Sequence, residues 1–127
     1  MLDAQGQDLL LHFSADERRF GIHAGQLETS MMLALRPQLV RMQQARHFPS
    51  SSQERAQRWP ILGNGRSAKL GWQMQDYHPE GAVGNAADAD AALGHELLHA
   101  AGRSLAALLR ELCQLPLPAF AQGAPAP

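Results

Sequence analysis

The stretch from residue 21 to residue 37 constrains the fold of this chain more than any other segment. Its first half is punctuated by glycines: Gly21 and Gly25 bracket His23, and Glu28 follows closely. Glycine permits backbone conformations that a side chain would forbid, so the pattern predicts a tight loop that presents the imidazole. A titratable pair on such a loop is typical of active sites. A loop histidine beside an ordinary helix charge would look the same, so the residues alone leave both interpretations open.

The second half of this stretch is an apolar run that predicts a short helix. Glu28, Thr29 and Ser30 are favourable at its start. A hydroxyl can cap the free N–H groups there, and a carboxylate meets the positive end of the helix dipole. Pro37 disfavours the α conformation at the residue before it. The helix is therefore expected to end near Leu35.

The longest regular element is predicted over residues 86–114. Either Asp88 or Asp90 can open this helix. Its apolar side chains recur every three or four residues and form one stripe: Leu93, Leu97, Ala101, Leu105, Leu108 and Leu112. This spacing is typical of an amphipathic helix that packs one face against the rest of the domain.

The other segments are shorter. Three short runs are interpreted as strands, residues 8–13, 39–42 and 70–74, and an extended piece is the alternative for residues 39–42. The charged residues 14–19 are expected to be solvated. Residues 46–67 are rich in Ser, Gln, Arg, Gly and Pro, which predicts a long surface loop. We expect one domain over residues 1–115, followed by a disordered tail over residues 116–127.

Composition gives no reason to propose a nucleic-acid or membrane partner. The 127 residues carry a formal net charge of −1, and no apolar run has the length of a membrane span. Cys113 is the single cysteine, so an internal disulfide is excluded and a reducing compartment is favoured. The N-terminus lacks the pattern of a signal peptide. A cytoplasmic location is therefore expected.

A competing motif lies within the predicted long helix. His95, Glu96 and His99 match the His-Glu-x-x-His pattern, in which two imidazoles one turn apart bind zinc and the glutamate activates water. An extended version of the pattern would place a third histidine at position 105, which is Leu105 here. The only later acid, Glu111, lies on the same helix and cannot complete a tetrahedral site. A zinc metallopeptidase is therefore the less favoured alternative.

A glycine-containing loop precedes this helix. Gly81 and Gly84 could let backbone amides approach an anionic or carbonyl group, and His78 is a candidate site-lining residue. A strand-to-helix connection that needs tight turns would show the same glycines.

The motifs together resemble the creatininase (creatinine amidohydrolase) family. The resemblance rests on the block His-Ala-Gly-x-x-Glu-Thr-Ser over residues 23–30 and the Met-Met-Leu-Ala-Leu-Arg-Pro run that follows. It resumes in the loop over residues 76–86, which is similar to the family's Asp-x-x-Pro-x-Gly-x-x-Gly-Asp segment, with Asn85 where aspartate is usual. The likeness covers most of residues 18–114.

The resemblance implies a fold and a chemistry. Such enzymes have a three-layer α/β/α fold with a mostly parallel sheet, assemble into oligomers, and hydrolyse cyclic or linear amide C–N bonds with two divalent metal ions, Zn or Mn. It implies that His23 is the proton shuttle and that Glu28 orients His23 or the bridging water. His78, Gly81 and Gly84 would line the site of a small-molecule amide substrate.

The segments that supply the family's main metal ligands do not occur in this sequence. They are a Glu-x-His-Gly-x-His-like stretch and an Asn-Gly-His-Gly-x-Asn-like stretch, and both precede the His23 block in the family. We therefore expect a partial fold without its N-terminal strands, no confident metal ligand in this chain, and little activity from the chain alone. A non-catalytic remnant or interaction subunit is the alternative.

Overall fold

The computed structural model describes residues 1–2, 4–67 and 70–116. These residues form an α/β fold in which four α-helices surround very little sheet. The α-helices are α1 (Ala15–Phe20), α2 (Gln26–Leu35), α3 (Ser51–Arg58) and α4 (Ala91–Gln114). Short 3₁₀ turns connect them: Leu9–His12, Pro37–Leu39, Met42–Gln44, Leu62–Asn64, Met74–Asp76 and Ala86–Asp88.

Helices α2 and α4 pack against each other and carry the core. The fully buried side chain of Ser30, on α2, lies where the two helices meet, and its hydroxyl accepts a hydrogen bond from the backbone N–H of Asp90 at 3.0 Å. Gly94 faces the same point, because a Cβ there would lie closer than 3.0 Å to the backbone oxygen of Ser30. The apolar cluster beside this contact consists of Leu9, Phe13, Leu97 and Ala100, flanked by Leu10, Leu27, Met31 and Leu93.

The end of helix α2 agrees with the sequence prediction, whereas its start lies earlier in the chain than predicted. It ends at Leu35, which confirms the effect of Pro37. Its first residue is Gln26 and its N-cap is Gly25, which offers no side-chain cap. Glu28 therefore lies in the first turn, and the predicted capping residues lie inside the helix.

Helix α4 is confirmed as the longest element, with its start at Ala91 rather than Ala86. Asp90 caps it by accepting a hydrogen bond from the backbone N–H of Leu93 at 2.8 Å. In the first half of the predicted apolar stripe Leu97 is buried, and Leu93 and Ala101 are partly buried. In the second half the leucines are exposed: Leu105, Leu108 and Leu112.

The predicted mostly parallel sheet is not found in the described part of the chain. The sheet there has two strands, β1 (His47–Phe48) and β2 (Gly84–Asn85), and they are antiparallel. A single antiparallel bridge between His23 and Val83 extends the pairing. Each strand is two residues long, so the ladder fixes the position of loops rather than forming a layer.

The three predicted strands were wrong. Residues 8–13 form the 3₁₀ turn Leu9–His12, because the side chain of Asp8 accepts a hydrogen bond from the backbone N–H of Leu10 and favours a turn. This hydrogen bond and the nearby N-terminal ammonium lower the pKa of Asp8 below its usual range. Residues 39–42 and 70–74 likewise contain no strand, although the backbone of Val40 is extended, with φ = −95° and ψ = 122°. Apolar runs of four to six residues carry too little periodicity to separate strand from turn.

Residues 46–67 contain β1 and α3 in place of an uninterrupted loop. Ser50 caps α3 by accepting a hydrogen bond from the backbone N–H of Ser52 at 3.1 Å, so the serines of the predicted loop begin a helix. The predicted tail lies outside the described residues from position 117 onward. Among the helices that the structure describes, none combines the length and hydropathy that a bilayer-spanning segment needs.

Candidate functional site

The loop between α1 and α2 is held in one conformation by backbone hydrogen bonds. The backbone N–H of Val83 donates to the carbonyl of His23 at 2.7 Å, and the N–H of His23 donates to the carbonyl of Val83 at 3.3 Å. Ala24 has φ = 52°, which is unusual for a residue with a side chain. The chain therefore turns sharply after the histidine and enters α2 directly.

This turn brings His23 and Glu28 together, as the sequence motif suggests. Nδ1 of His23 lies 3.3 Å from Oε2 of Glu28, and the same carboxylate oxygen accepts a hydrogen bond from the backbone N–H of Ala24 at 2.7 Å. Both side chains are about half exposed, at 53% each. The hydroxyl of Thr29 donates to the carbonyl of Ala24 at 3.2 Å and closes the turn. Glu28 is thus held by the backbone and can orient the imidazole.

An open groove of about 390 Å³ contains this pair. Part of its wall is apolar and comes from α2 and from the segment after it: Met32, Leu39, Val40, Ala45 and Phe48. An imidazole and a carboxylate beside an apolar wall suit a small molecule with one polar reacting group.

The predicted lining residues His78, Gly81 and Gly84 are not among the residues that line this groove. His78 packs edge-to-face against Phe48, with ring centroids 5.5 Å apart, and its Nδ1 accepts a hydrogen bond from the backbone N–H of Glu80. Gly81 occupies a turn at φ = 75°, where a side chain would meet nothing within 4 Å. Gly84 lines a second cavity of about 110 Å³ instead of the groove. Their role in substrate binding stays a prediction.

Sequence reasoning missed Glu17, which it assigned to a solvated charged segment. This side chain is only 8% exposed. Its Oε1 accepts a hydrogen bond from the backbone N–H of Gln26 at 2.6 Å, and its Oε2 accepts one from the backbone N–H of Asn85 at 2.7 Å. Within the described residues no basic side chain forms an ion pair with it. Backbone dipoles alone therefore hold this buried charge.

Three glycines surround the Glu17 carboxylate. A Cβ added at any of them would lie closer than 3.0 Å to atoms of that carboxylate: Gly21, Gly25 and Gly84. At Gly21 and Gly84 the added Cβ would also lie within 3.0 Å of backbone atoms, so these two positions need glycine, whereas at Gly25 a side chain would displace the Glu17 carboxylate. The glycines were the one sequence signal for this site, although nothing in the sequence indicates what they enclose.

The His-Glu-x-x-His motif does not form a metal site in the described part of α4. His95, Glu96 and His99 are all exposed. No group of three or more His, Cys, Asp or Glu side chains that could hold a metal ion occurs among the residues described. The thiol of Cys113 is exposed on the same helix.

The two metal ions implied by the sequence resemblance do not fit the donors described here. A catalytic zinc needs three protein ligands and a water, whereas His23 and Glu28 supply two donors, and these contact each other. A shared pair of ions would need still more ligands. The described residues therefore do not fit the metal-binding part of such a site.

Comparison with known proteins defines the class to which this fold and site belong. The model of the creatininase family, described as creatinine amidohydrolase, matches residues 3–109. The chain therefore belongs to the creatininase family. No curated protein shows significant sequence similarity to it.

A solved structure shares the fold. It is the crystal structure of a candidate creatinine amidohydrolase from Bacteroides fragilis, with a TM-score of 0.60 and 22% sequence identity. The alignment covers 87% of this chain and 43% of that one, so this chain spans less than half the length of the solved relative.

Proposed function

We propose that this chain carries the proton-transfer part of a metal-dependent amidohydrolase site, with the main metal ligands supplied from outside the described residues. Family membership supports hydrolysis of an amide C–N bond. The observation that carries the proposal is the pair formed by His23 and Glu28, 3.3 Å apart beside a groove.

The chemistry assigned to His23 follows from amide hydrolysis itself. Water adds its hydroxyl to the carbonyl carbon, and the nitrogen leaves only after it gains a proton. An imidazole suits this transfer because its ordinary pKa lies near neutrality. Nδ1 lies 3.3 Å from Oε2 of Glu28, so this carboxylate can keep a proton on Nδ1 and leave Nε2 as the nitrogen that exchanges a proton with the substrate.

The substrate is proposed to be a small cyclic or linear amide. We also propose that the metal is Zn or Mn, that the protein is cytoplasmic, and that it assembles as a homo-oligomer. The absence of a metal-ligating cluster among the described residues supports a second candidate, a non-catalytic subunit completed by another polypeptide.

Calorimetry and turnover together test the proposal. Titration of Mn²⁺ or Zn²⁺ into the purified chain is expected to show no pair of tight sites, and creatinine, a formylated amine and a peptide-like amide are expected to stay intact. Adding a polypeptide that bears the family's Glu-x-His-Gly segment is expected to restore hydrolysis. The variant His23→Gln should then lower kcat by about 10²–10⁴-fold, the usual contribution of a general acid.

His12→Gln is the matched control, because His12 is an exposed histidine of the 3₁₀ turn Leu9–His12 and lies away from the groove. Two tight metal sites on the chain alone would contradict the proposed division of the site. Restored hydrolysis that His23→Gln leaves unchanged would contradict the role of the imidazole. Stable association without any hydrolysis would favour the non-catalytic subunit.

A further inference from the structure

We propose that Glu17 is the positioning residue of the His23–Glu28 pair, and that its buried carboxylate acts as a remote N-cap of α2. The inference rests on the proposed function, because it concerns how the proton-transfer pair is held. It does not require Glu17 to touch substrate.

The first step of the argument is the missing cap. Gly25 is the N-cap of α2 and has no side chain to accept hydrogen bonds from the first turn. The backbone N–H of Gln26 donates instead to Oε1 of Glu17, nine positions earlier in the chain. A carboxylate at this end of a ten-residue helix also meets the positive end of its dipole. Glu17 therefore supplies the charge and the acceptor that the glycine lacks.

The second step is the link to the other side of the site. Oε2 of the same carboxylate accepts a hydrogen bond from the backbone N–H of Asn85, in β2. Two residues before Asn85, Val83 exchanges backbone hydrogen bonds with His23. One carboxylate thus ties the start of α2 to the segment over residues 83–85, whose Val83 pairs with the histidine.

The third step is that the loop closes on Glu17 at both ends. The backbone carbonyl of Glu17 accepts a hydrogen bond from the N–H of Gly21, where the loop begins, and its side chain holds Gln26, where the loop ends. His23 lies between these two anchors. Because both carboxylate oxygens are engaged, no isosteric neutral group can replace them: a glutamine offers one oxygen and turns an N–H donor toward the second amide.

Hydrogen exchange of the unmodified chain provides the first test. If the Glu17 carboxylate holds both ends of the loop, the backbone amides of Gln26, Asn85 and Val83 open in the same event and exchange with similar protection. Much faster exchange at Val83 than at the two amides bound to Glu17 would overturn the proposal, because the pairing of His23 with Val83 would then open independently of the Glu17 hydrogen bonds.

The variant Glu17→Gln provides the second test. We expect exchange at Gln26 or Asn85 to rise by about tenfold or more, since a hydrogen bond to a charged group is lost. We also expect the ring ¹⁵N signals of His23 to change from one dominant tautomer to a mixture, because the ring no longer keeps its place against Glu28. An unchanged His23 ring spectrum in folded Glu17→Gln would overturn the proposal.

Asp90→Ala is the control for a purely structural effect. It removes the side-chain cap of α4 and leaves the loop intact, so it should lower stability without altering the His23 tautomer. An equal spectral change in this control would overturn the assignment. Neither hydrogen exchange nor the His23 ring spectrum depends on turnover. A failure of the role proposed for Glu17 is therefore observed separately from a failure of amide hydrolysis.

Discussion

Ser30 is the side chain that joins the two helices of the core. It is fully buried, donates to the carbonyl of Gln26 at 2.6 Å, and accepts from the backbone N–H of Asp90 at 3.0 Å. Ser30→Ala is expected to destabilise the chain by about 1–3 kcal/mol, because the amide of Asp90 loses its partner in a partly buried place. Chemical denaturation measures the difference.

Ser104→Ala is the matched comparison. Ser104 is exposed on α4, so its loss should change the free energy of unfolding by no more than about 0.5 kcal/mol. Equal effects of the two substitutions would show that the Ser30 contact contributes nothing beyond an ordinary surface serine.

Single residues also mark the limit of prediction for the site. His23 and Glu28 could be found from the sequence because they are five positions apart and belong to one motif. Glu17 could not be found in this way. One of its partners, Asn85, lies 68 positions away, and a glutamate between Asp16 and Arg18 is interpreted as part of a solvated charged run.

At the scale of elements, Gly94 allows α4 to approach α2. Gly94→Ala is expected to destabilise the chain by about 1–3 kcal/mol or more, because the new methyl group would overlap the backbone oxygen of Ser30 and force the helices apart. Helix propensity alone would make the change favourable by up to about 1 kcal/mol, so the sign of the effect distinguishes packing from propensity. Thermal unfolding gives this sign.

Gly102 provides the control on the same helix. A Cβ at Gly102 would meet nothing within 4 Å, so Gly102→Ala should raise the melting temperature through propensity. A rise for both variants would contradict the close approach of the two helices.

The helices were more predictable than the strands for a physical reason. The end of α2 follows from the local effect of Pro37, and α4 follows from a stripe repeated over several turns. Strand pairing depends on partners far along the chain. The pairing of Phe48 with Gly84 leaves no trace in the residues around either position. The mostly parallel sheet was inferred from the family and not from these residues.

At the scale of the whole molecule, the second half of α4 presents an apolar surface. Leu105, Leu108, Leu109 and Leu112 are each more than half exposed. Such a contiguous surface favours association, since its burial removes apolar area from water. We expect the purified chain to self-associate with rising concentration. The double variant Leu108→Glu and Leu112→Glu should shift sedimentation toward the monomer.

The double variant Ser104→Glu and Gln114→Glu adds the same charge at exposed polar positions of this helix. It should leave the sedimentation profile close to that of the unmodified chain. A chain that stays monomeric at all concentrations would contradict the prediction.

The hydrogen bond from the backbone N–H of Asn85 to Glu17 also determines when the loop that carries His23 can close completely. Synthesis delivers the chain from its N-terminus, so the imidazole and its carboxylate partner emerge long before the residues that close the loop around them. Until position 85 arrives, the buried acid lacks one of its two donors. The position of the imidazole therefore depends on residues far outside the short motif that contains it.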